Sequence, residues 1–162
     1  MIKLHSKSKE KALMKENIIQ IAKPKETKTP FEMRKDLFNA LKPVFNKPLT
    51  NKNDGRIAFI SSKKVGKLGS KDALNTSEKN GFSEAQHFEV AKHLKELYEN
   101  AHLREIQPDK KGEVNVQIPR YETKFSFGGQ PAVVKITLKE TLMGLYKGNK
   151  IYTIELESVS KA

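Results

Sequence analysis

The sequence predicts an α+β fold in which helices come first and an antiparallel sheet follows. Two observations lead to this prediction. Two segments in the first two-thirds of the chain begin with a capping box and continue with apolar residues at helical spacing. The last third consists of short segments with alternating apolar and polar residues, separated by glycine-containing turns. Helices grouped before strands are typical of a segregated α+β domain.

The first helix is predicted to begin after Thr29, in the segment TPFEMRKDLFNALKPVF. Thr29 can cap the helix, Pro30 suits the first helical position, and Glu32 completes a capping box with Thr29. Pro43 is expected to end the helix. The residues that repeat at helical spacing are Phe31, Met33, Arg34, Leu37, Phe38 and Leu41.

The second helix is predicted to run from Ser83 to about Arg104, with a capping box formed by Ser83 and Gln86. Between the two helices, the segment RIAFIS predicts a short strand and residues 71–75 predict one helical turn. The apolar face of the second helix is the set Val90, Ala91, Leu94, Leu97, Tyr98 and Ala101.

Four segments near the C-terminus predict strands, namely EVNVQI, YETKFSF, AVVKITLKE and KIYTIELE. If the apolar residues of a strand face the core, the alternate residues face away from it. Val114, Val116 and Ile118 are expected to share one face, and the residues expected to face the core are Val134, Ile136 and Leu138. Those expected on the opposite face include Arg120, Glu122, Lys124, Lys135, Thr137 and Lys139.

The chain of 162 residues is interpreted as one domain at residues 29–158, with a flexible basic arm at residues 1–28 and a tail at residues 159–162. The absence of cysteine excludes disulfides, thiolate chemistry and the usual zinc ligands. No apolar run approaches the roughly 18–20 residues that a membrane span needs, and the N-terminus lacks the features of a signal peptide. We therefore expect a cytoplasmic protein with no membrane partner, or an effector delivered without a signal peptide.

Charge is the strongest signal in the composition. The chain has 31 Lys and Arg residues against 19 Asp and Glu residues, a net charge of +12. Residues 34–71 hold ten basic and two acidic residues, whereas residues 72–109 hold four and eight. A basic block beside an acidic one indicates a surface for a polyanion, and RNA is the leading candidate. An acidic immunity or antitoxin protein is a second partner that this block would suit.

His87 lies one turn into the second predicted helix, on its apolar stripe. The positive field at a helix N-terminus disfavours the imidazolium form, so a neutral imidazole there is able to accept a proton near neutral pH. The alternative is a histidine packed at the edge of the core with both ring nitrogens hydrogen-bonded. The sequence leaves both interpretations open.

Two groups of residues, each containing cations, are candidates for holding a phosphate. The first lies in the glycine-containing segment FISSKKVGKLGSKD, which does not match a P-loop, and comprises Lys63, Lys64, Lys67 and Lys71. The second lies on adjoining strands, where it would stabilise the negative charge of a pentacoordinate transition state, and comprises Arg120, Lys135 and Thr137. The alternatives are a solvated basic loop and a solvated sheet face.

The sequence contains no HExxH, GxSxG or GxGxxG motif and no acids and histidines at metal-ligand spacing. Metal-independent cleavage of RNA needs only a base for the 2′-OH proton, cations for the phosphate and an acid for the leaving oxygen. We therefore expect a metal-independent endoribonuclease that uses no cofactor. The alternative is a non-catalytic module that binds nucleic acid or a protein.

Five segments in order resemble the phage-associated branch of the barnase–EndoU–colicin–RelE-like (BECR) nuclease superfamily. They are NDGRIAFISSKKVGKLGSKDAL, NGFSEAQHFEVAKHLKELYENA, RYETKFSF, VVKITLKE and KIYTIELE. Within that branch the chain resembles the large polyvalent protein-associated domains of phages and conjugative elements. The resemblance covers residues 47–157 and implies helices packed on a four-stranded antiparallel sheet, with metal-independent RNase activity of a toxin type.

The resemblance and the residue patterns together lead to a predicted site. His87 is expected to be the base, and Arg120 and Lys135 are expected to hold the phosphate. Thr137 or Tyr152, the latter implied by the resemblance alone, is expected to orient the substrate or donate a proton. The expected substrate-binding residues are Lys63, Lys64, Lys67, Tyr121 and Lys139.

Overall fold

The computed structural model describes residues 18–144 and 148–158, so residues 1–17 of the predicted arm and the predicted tail (159–162) lie outside the described residues. The α-helices of the described part are α1 (Pro30–Leu41), α2 (Lys71–Lys79), α3 (Glu84–Ala91) and α4 (Leu94–Asn100). Its strands are β1 (Ile19–Ile21), β2 (Leu49–Thr50), β3 (Ile57–Ala58), β4 (His102–Pro108), β5 (Val116–Phe127), β6 (Gln130–Thr141) and β7 (Gly148–Ser158). Short 3₁₀ turns occur at Lys42–Val44 and Val65–Gly69.

The predicted α+β class is confirmed, but the main sheet has five strands and is mixed, not four-stranded and antiparallel. Its strand order is β1-β5-β6-β7, with β4 also paired to β5, and only the β1–β5 pair is parallel among the described strands. The difference arises because the predicted strands EVNVQI and YETKFSF form the single strand β5. This strand is long enough to hold both β4 and β1 along one edge. Val114 precedes β5 and is exposed whereas Val116 is buried, so the face predicted to include both residues does not extend to Val114.

The C-terminal part of the predicted arm contains a strand. Ile19 pairs with Phe125 of β5, and Ile19 and Ile21 are both buried in the core. The lysines around this segment dominated its composition and led to the expectation of a poorly ordered or weakly helical arm. Two alternating isoleucines suffice to hold the segment when an unpaired strand edge is available, because the backbone then also forms ladder hydrogen bonds.

The second predicted helix begins with the expected capping box, but it breaks at Lys92 and His93 and ends at Asn100. The residues up to Arg104 belong to β4 instead. Asn51 of the β2–β3 loop donates from Nδ2 to the carbonyl oxygens of Tyr98 and Ala101, at 2.8 Å each. These bonds satisfy carbonyl groups at the end of α4, so the helix ends there and the chain continues into β4. The predicted apolar face is confirmed as buried over both helices.

Helix α1 is confirmed with its capping box, and Thr29 Oγ1 accepts from the amide of Glu32. Its buried residues are Met33, Leu37 and Leu41. Two aromatic residues assigned to the same apolar pattern lie outside the core, since Phe31 is 77% exposed and Phe38 is 41% exposed. Only one side of α1 packs on the rest of the domain, and the residues assigned to the predicted pattern cover a wider arc of the helix than that side.

The inner face of the sheet packs on the helices, and among the described residues no helix covers its outer face. Val134, Ile136 and Leu138 of β6 are fully buried on the inner face, as predicted. The outer face alternates with them and carries Arg120, Glu122, Lys124, Lys135, Thr137, Lys139, Lys150, Thr153, Glu155 and Glu157. None of the described helices has the length and apolar character needed to cross a membrane.

Candidate nucleic-acid interface

The outer face has two ends of different charge. At the first, which we name the cationic end, Tyr152 lies among four lysines, namely Lys67, Lys111, Lys139 and Lys150. At the second, which we name the paired end, Lys135 lies among three glutamates, namely Glu122, Glu155 and Glu157. Both ends include residues of β6 and β7, and the cationic end also receives Lys67 from the 3₁₀ turn at Val65–Gly69 and Lys111 from the β4–β5 connection.

Tyr152 occupies an irregularity in β7. The β6–β7 register shifts between the Thr137–Thr153 pair and the Leu138–Ile151 pair, which leaves Tyr152 as the extra residue of a bulge. Lys67, from the 3₁₀ turn at Val65–Gly69, donates from Nζ to the Tyr152 hydroxyl at 3.1 Å. The same Nζ lies 4.5 Å from the centre of the phenol ring. The side chain of Tyr152 is 42% exposed, so a ligand can reach its hydroxyl.

The lysines favour the ionised form of Tyr152. The hydrogen bond from Lys67 lowers the pKa of the Tyr152 phenol below its ordinary value, and the charges of Lys67, Lys139 and Lys111 act in the same direction. Partial burial opposes this shift without cancelling it. A larger fraction of Tyr152 is therefore in the proton-accepting phenolate form near neutral pH than for a free tyrosine side chain.

Lys139 and Lys150 lie directly opposite each other on β6 and β7. Like charges at such positions destabilise a sheet because their repulsion is not offset. Within residues 18–144 and 148–158, no carboxylate lies within 4.0 Å of the amino group of Lys67, Lys111, Lys139 or Lys150. The cationic end therefore presents an open positive surface.

Lys135, a predicted phosphate ligand, is already neutralised. Its Nζ lies 3.0 Å from Oε2 of Glu157, and its cross-strand partners are Glu122 and Glu155. The hydrogen bond to Glu157 and the surrounding carboxylates raise the pKa of Lys135. An RNA phosphate would have to compete with three carboxylates for this ammonium group.

Arg120 and Thr137, two other predicted catalytic residues, are cross-strand partners in the middle of the outer face. Arg120 Nε donates to Oε1 of Gln107 at 2.7 Å and lies 4.0 Å from Oε1 of Glu105. Thr137 is largely buried and lies opposite Thr153, next to Tyr152. The structure therefore brings these two residues to the edge of the cationic end.

His87 lies in the core, away from the outer face. Its side chain is 0% exposed. Nε2 lies 2.6 Å from the carbonyl oxygen of Leu68, which can only accept, so Nε2 carries the proton. Nδ1 then accepts from the Ser77 hydroxyl at 2.7 Å, and Ser77 Oγ accepts from the Leu156 amide at 3.1 Å.

This geometry speaks against the role of general base predicted for His87. Burial lowers the pKa of His87, and the hydrogen bond to Leu68 offsets this only in part. The neutral imidazole has no free nitrogen and no access to solvent. It instead ties the 3₁₀ turn at Val65–Gly69 to α2 and to β7, which holds the backbone of Lys67 near Tyr152.

Tyr121, a predicted substrate-binding residue, also lies inside the domain. Its hydroxyl donates to Asp54 Oδ2 and accepts from Arg56 Nη1 at 2.9 Å. Its ring packs on Tyr98 with the centroids 5.3 Å apart. Burial raises the pKa of Tyr121 to about 12, and the hydrogen bond to Asp54 adds to this. Tyr121 thus fixes the β2–β3 loop to the sheet.

Lys63 and Lys64 are exposed in the loop that leads into the turn carrying Lys67. They precede Lys67 in the chain, and their role in binding a substrate stays a prediction. In the part of the chain that the structure describes, no three His, Asp or Glu side chains converge to form a metal site.

Sequence reasoning missed two residues of the cationic end, Lys111 and Lys150. Lys111 lies in the β4–β5 connection, where the alternation of apolar and polar residues that predicts strands does not apply. Lys150 lies opposite Lys139 only because the bulge at Tyr152 shifts the β6–β7 register by one residue. Two lysines opposite each other in a predicted hairpin indicate an open positive site. The pairing of Lys139 with Lys150 can be predicted only if the bulge at Tyr152 is already known.

Comparison with known proteins yields one family. The model of large polyvalent protein-associated domain 3 matches residues 28–152, well over half of the chain. No functionally curated protein and no solved structure matches the chain.

Proposed function

Because the chain belongs to the large polyvalent protein-associated domain 3 family, which suggests association with a phage or mobile element, we propose a function suited to that setting. We propose that it is a metal-independent endoribonuclease of the toxin or effector type, acting in the cytoplasm. RNA binds at the cationic end of the outer face, and Tyr152 replaces His87 as the proton acceptor. An acidic immunity or antitoxin protein would compete with RNA for the same lysines.

The reaction is a transesterification within the RNA strand. The Tyr152 phenolate takes the proton of the 2′-OH, and the resulting oxygen attacks the adjacent phosphorus. The bond from phosphorus to the 5′ oxygen breaks as the bond from the 2′ oxygen forms, which gives a 2′,3′-cyclic phosphate. An ammonium group of the cationic end protonates the leaving 5′ oxygen. Lys139 and Lys150 stabilise the added negative charge on phosphorus, with Arg120 beside them.

One observation carries this proposal. Tyr152 is a partly exposed phenol whose pKa is lowered by the hydrogen bond from Lys67, and it stands beside lysines without carboxylate partners. A proton acceptor and an anion site therefore occur together, as cleavage of a phosphodiester requires. The buried His87 offers neither property.

The test is cleavage of single-stranded RNA by the full chain in EDTA, with product ends analysed by mass spectrometry. The wild type is expected to leave 2′,3′-cyclic phosphate ends. Tyr152→Phe, which keeps the ring and removes the hydroxyl, is expected to slow cleavage by about a hundredfold to ten-thousandfold. Thr153→Ala, on the neighbouring residue, serves as the control and is expected to cut normally. Cleavage by Tyr152→Phe at the wild-type rate, or cleavage only when Mg²⁺ is added, would overturn the proposal.

A non-catalytic module that binds nucleic acid is the second candidate. It is supported by the same open lysines, because binding requires the positive surface and not the ionised phenol. RNA that is bound by the wild type with a steep dependence on salt, yet stays intact over long incubation, would favour this candidate.

A further inference from the structure

Helix α1 carries an exposed stripe that the cationic end does not include. We name it the aromatic–lysine stripe, and it comprises Phe31, Lys35, Phe38 and Lys42. At 100° per residue these positions lie within about 60° of one another, on a side away from the buried Met33 and Leu37, with Lys42 as the first residue of the 3₁₀ turn that follows α1. Phe31 is 77% exposed and so loses the burial that normally stabilises an aromatic side chain. Phe38 is 41% exposed and packs edge-on against Phe45, with the ring centroids 5.0 Å apart.

The acidic residues of α1 are engaged outside the stripe. Glu32 is held in the capping box with Thr29, and Asp36 forms an ion pair with Lys28. Within the described residues, no carboxylate lies within 4.0 Å of the amino group of Lys35 or Lys42. The stripe therefore combines flat apolar rings with available positive charge, which complements a polyanion with aromatic groups.

The spacing of the stripe decides between two classes of partner. Phe31 and Phe38 are seven residues apart, which is about 10 Å along the helix axis, with Lys35 between them. An amphipathic partner helix docks through apolar anchors at i, i+3 or i+4, and i+7, and the intermediate position of this stripe holds the cation Lys35 in place of an apolar residue. Two bases of a single strand that are not adjacent can span the distance between the rings, and a phosphate between them can then lie near the cation.

We propose that the aromatic–lysine stripe binds single-stranded RNA, with unpaired bases stacked on Phe31 and Phe38 and phosphates held by Lys35 and Lys42. This inference rests on the proposed function, since it gives the substrate as unpaired RNA and extends the binding surface to α1. The stripe is fixed relative to the cationic end because Arg34 of α1 donates from Nη2 to the carbonyl oxygen of Gly69 at 2.9 Å. Gly69 ends the turn that carries Lys67.

The experiment uses the full chain, which contains no tryptophan, so that Phe31→Trp introduces a single fluorescent reporter. The probe is a 2′-O-methyl oligoribonucleotide of about 12 nucleotides, which cannot be cleaved because its 2′ oxygen is blocked. Its abasic analogue has the same phosphates and no bases. Ile106→Trp, at a 44% exposed apolar position on β4, is the matched control. Binding is followed in parallel by the anisotropy of a labelled probe.

The base-containing probe is expected to quench the fluorescence of Phe31→Trp, and the abasic probe is not. The fluorescence of Ile106→Trp is expected to stay unchanged with both probes. Phe31→Ala is expected to weaken binding of the base-containing probe by about tenfold and binding of the abasic probe much less.

Equal quenching by both probes, or binding without any quenching of Phe31→Trp, would overturn the stacking site and leave the proposed cleavage standing. Quenching by polyglutamate but not by RNA would overturn it in favour of an acidic protein partner. Base-dependent quenching in a protein that does not cleave RNA would support the stacking site while overturning the proposed cleavage. No binding of either probe would overturn both.

Discussion

Lys135 and Lys139 lie on the same strand, on the same face, four residues apart, yet their surroundings are opposite. Lys135 stands between Glu122 and Glu155 and contacts Glu157. Lys139 stands opposite Lys150, near Tyr152, and has no carboxylate within 4.0 Å among the described residues. The first lysine completes a network of ion pairs on the surface, and the second contributes to an open positive site.

The comparison teaches that alternation along a strand predicts which face a side chain is on, but not whether its charge is available. Availability depends on the residues across the neighbouring strands, and these are fixed by register. An exposed ion pair contributes little stability, but it removes a cation from the surface available to a ligand. An uncompensated like-charged pair destabilises the sheet, and a bound anion would relieve its repulsion.

The largest expected effect on stability concerns His87, which lies in the core and not at the cationic end. His87→Ala is expected to lower the free energy of unfolding by roughly 3 kcal/mol, because Ser77 and Leu68 lose their hydrogen-bond partner in the core. Urea denaturation measures this loss, and His102→Ala, at an exposed position, is the control. At low temperature the folded fraction of His87→Ala is expected to lose no more than the roughly tenfold in turnover that follows from displacing Lys67. If His87→Ala kept the stability of the wild type but lost its activity, His87 would be a catalytic residue and this assignment would be wrong.

The pH dependence of stability, compared between wild type and His87→Ala, tests the protonation state of the same residue. Because burial lowers the folded-state pKa of His87 below 6.5, the unfolded chain binds more protons than the native one as the pH falls. The contribution of neutral His87 is therefore fully present above about pH 6.5 and is lost as the pH falls through the folded-state pKa. A free energy of unfolding that shows the same pH dependence in wild type and His87→Ala would contradict the buried, neutral state.

The next effect concerns Lys67, which acts through Tyr152. Lys67→Met is expected to lower the cleavage rate near neutral pH by roughly tenfold, the size of one charge-assisted hydrogen bond. Because the bond from Lys67 lowers the pKa of Tyr152, its loss raises that pKa, and the rise of rate with pH moves to higher pH. Lys64→Met, in the same loop, is expected to leave the pH profile in place. A profile that does not move in Lys67→Met would show that Tyr152 is not the group that titrates.

The sequence predicts those parts of the fold that depend on residues close together in the chain. The capping box of Thr29 and Glu32 lies within one turn, and the structure contains it as predicted. The end of α4 depends on Asn51, which lies 47 residues before Tyr98 in the chain, so helical periodicity alone placed it too late. Strand β1 likewise depends on the unpaired edge of β5, which no pattern in residues 1–28 reveals.

The candidate site likewise has features that the sequence predicts and features that depend on residues distant in the chain. Alternation placed Lys135, Thr137 and Lys139 on the outer face, where the structure has them. The partners of each group come from distant elements, and those partners decide its role. Ser77 and Leu68 engage His87, the glutamates of β5 and β7 engage Lys135, and a bulge aligns Lys150 with Lys139. Each of these facts requires the register and packing of the folded chain.

The central claim is that the two ends of one sheet face differ in available charge, and the most direct test compares Lys135→Ala with Lys139→Ala. Each variant removes one positive charge, so the change in net charge cancels in the comparison. RNA affinity is measured over a series of salt concentrations with the uncleavable probe. Lys139→Ala is expected to weaken binding several-fold and to reduce the slope of log affinity against log salt by about 0.7, the value for one phosphate contact on a single strand. Lys135→Ala is expected to leave the slope unchanged. Equal slopes for the two variants, or a larger reduction in Lys135→Ala, would contradict the account.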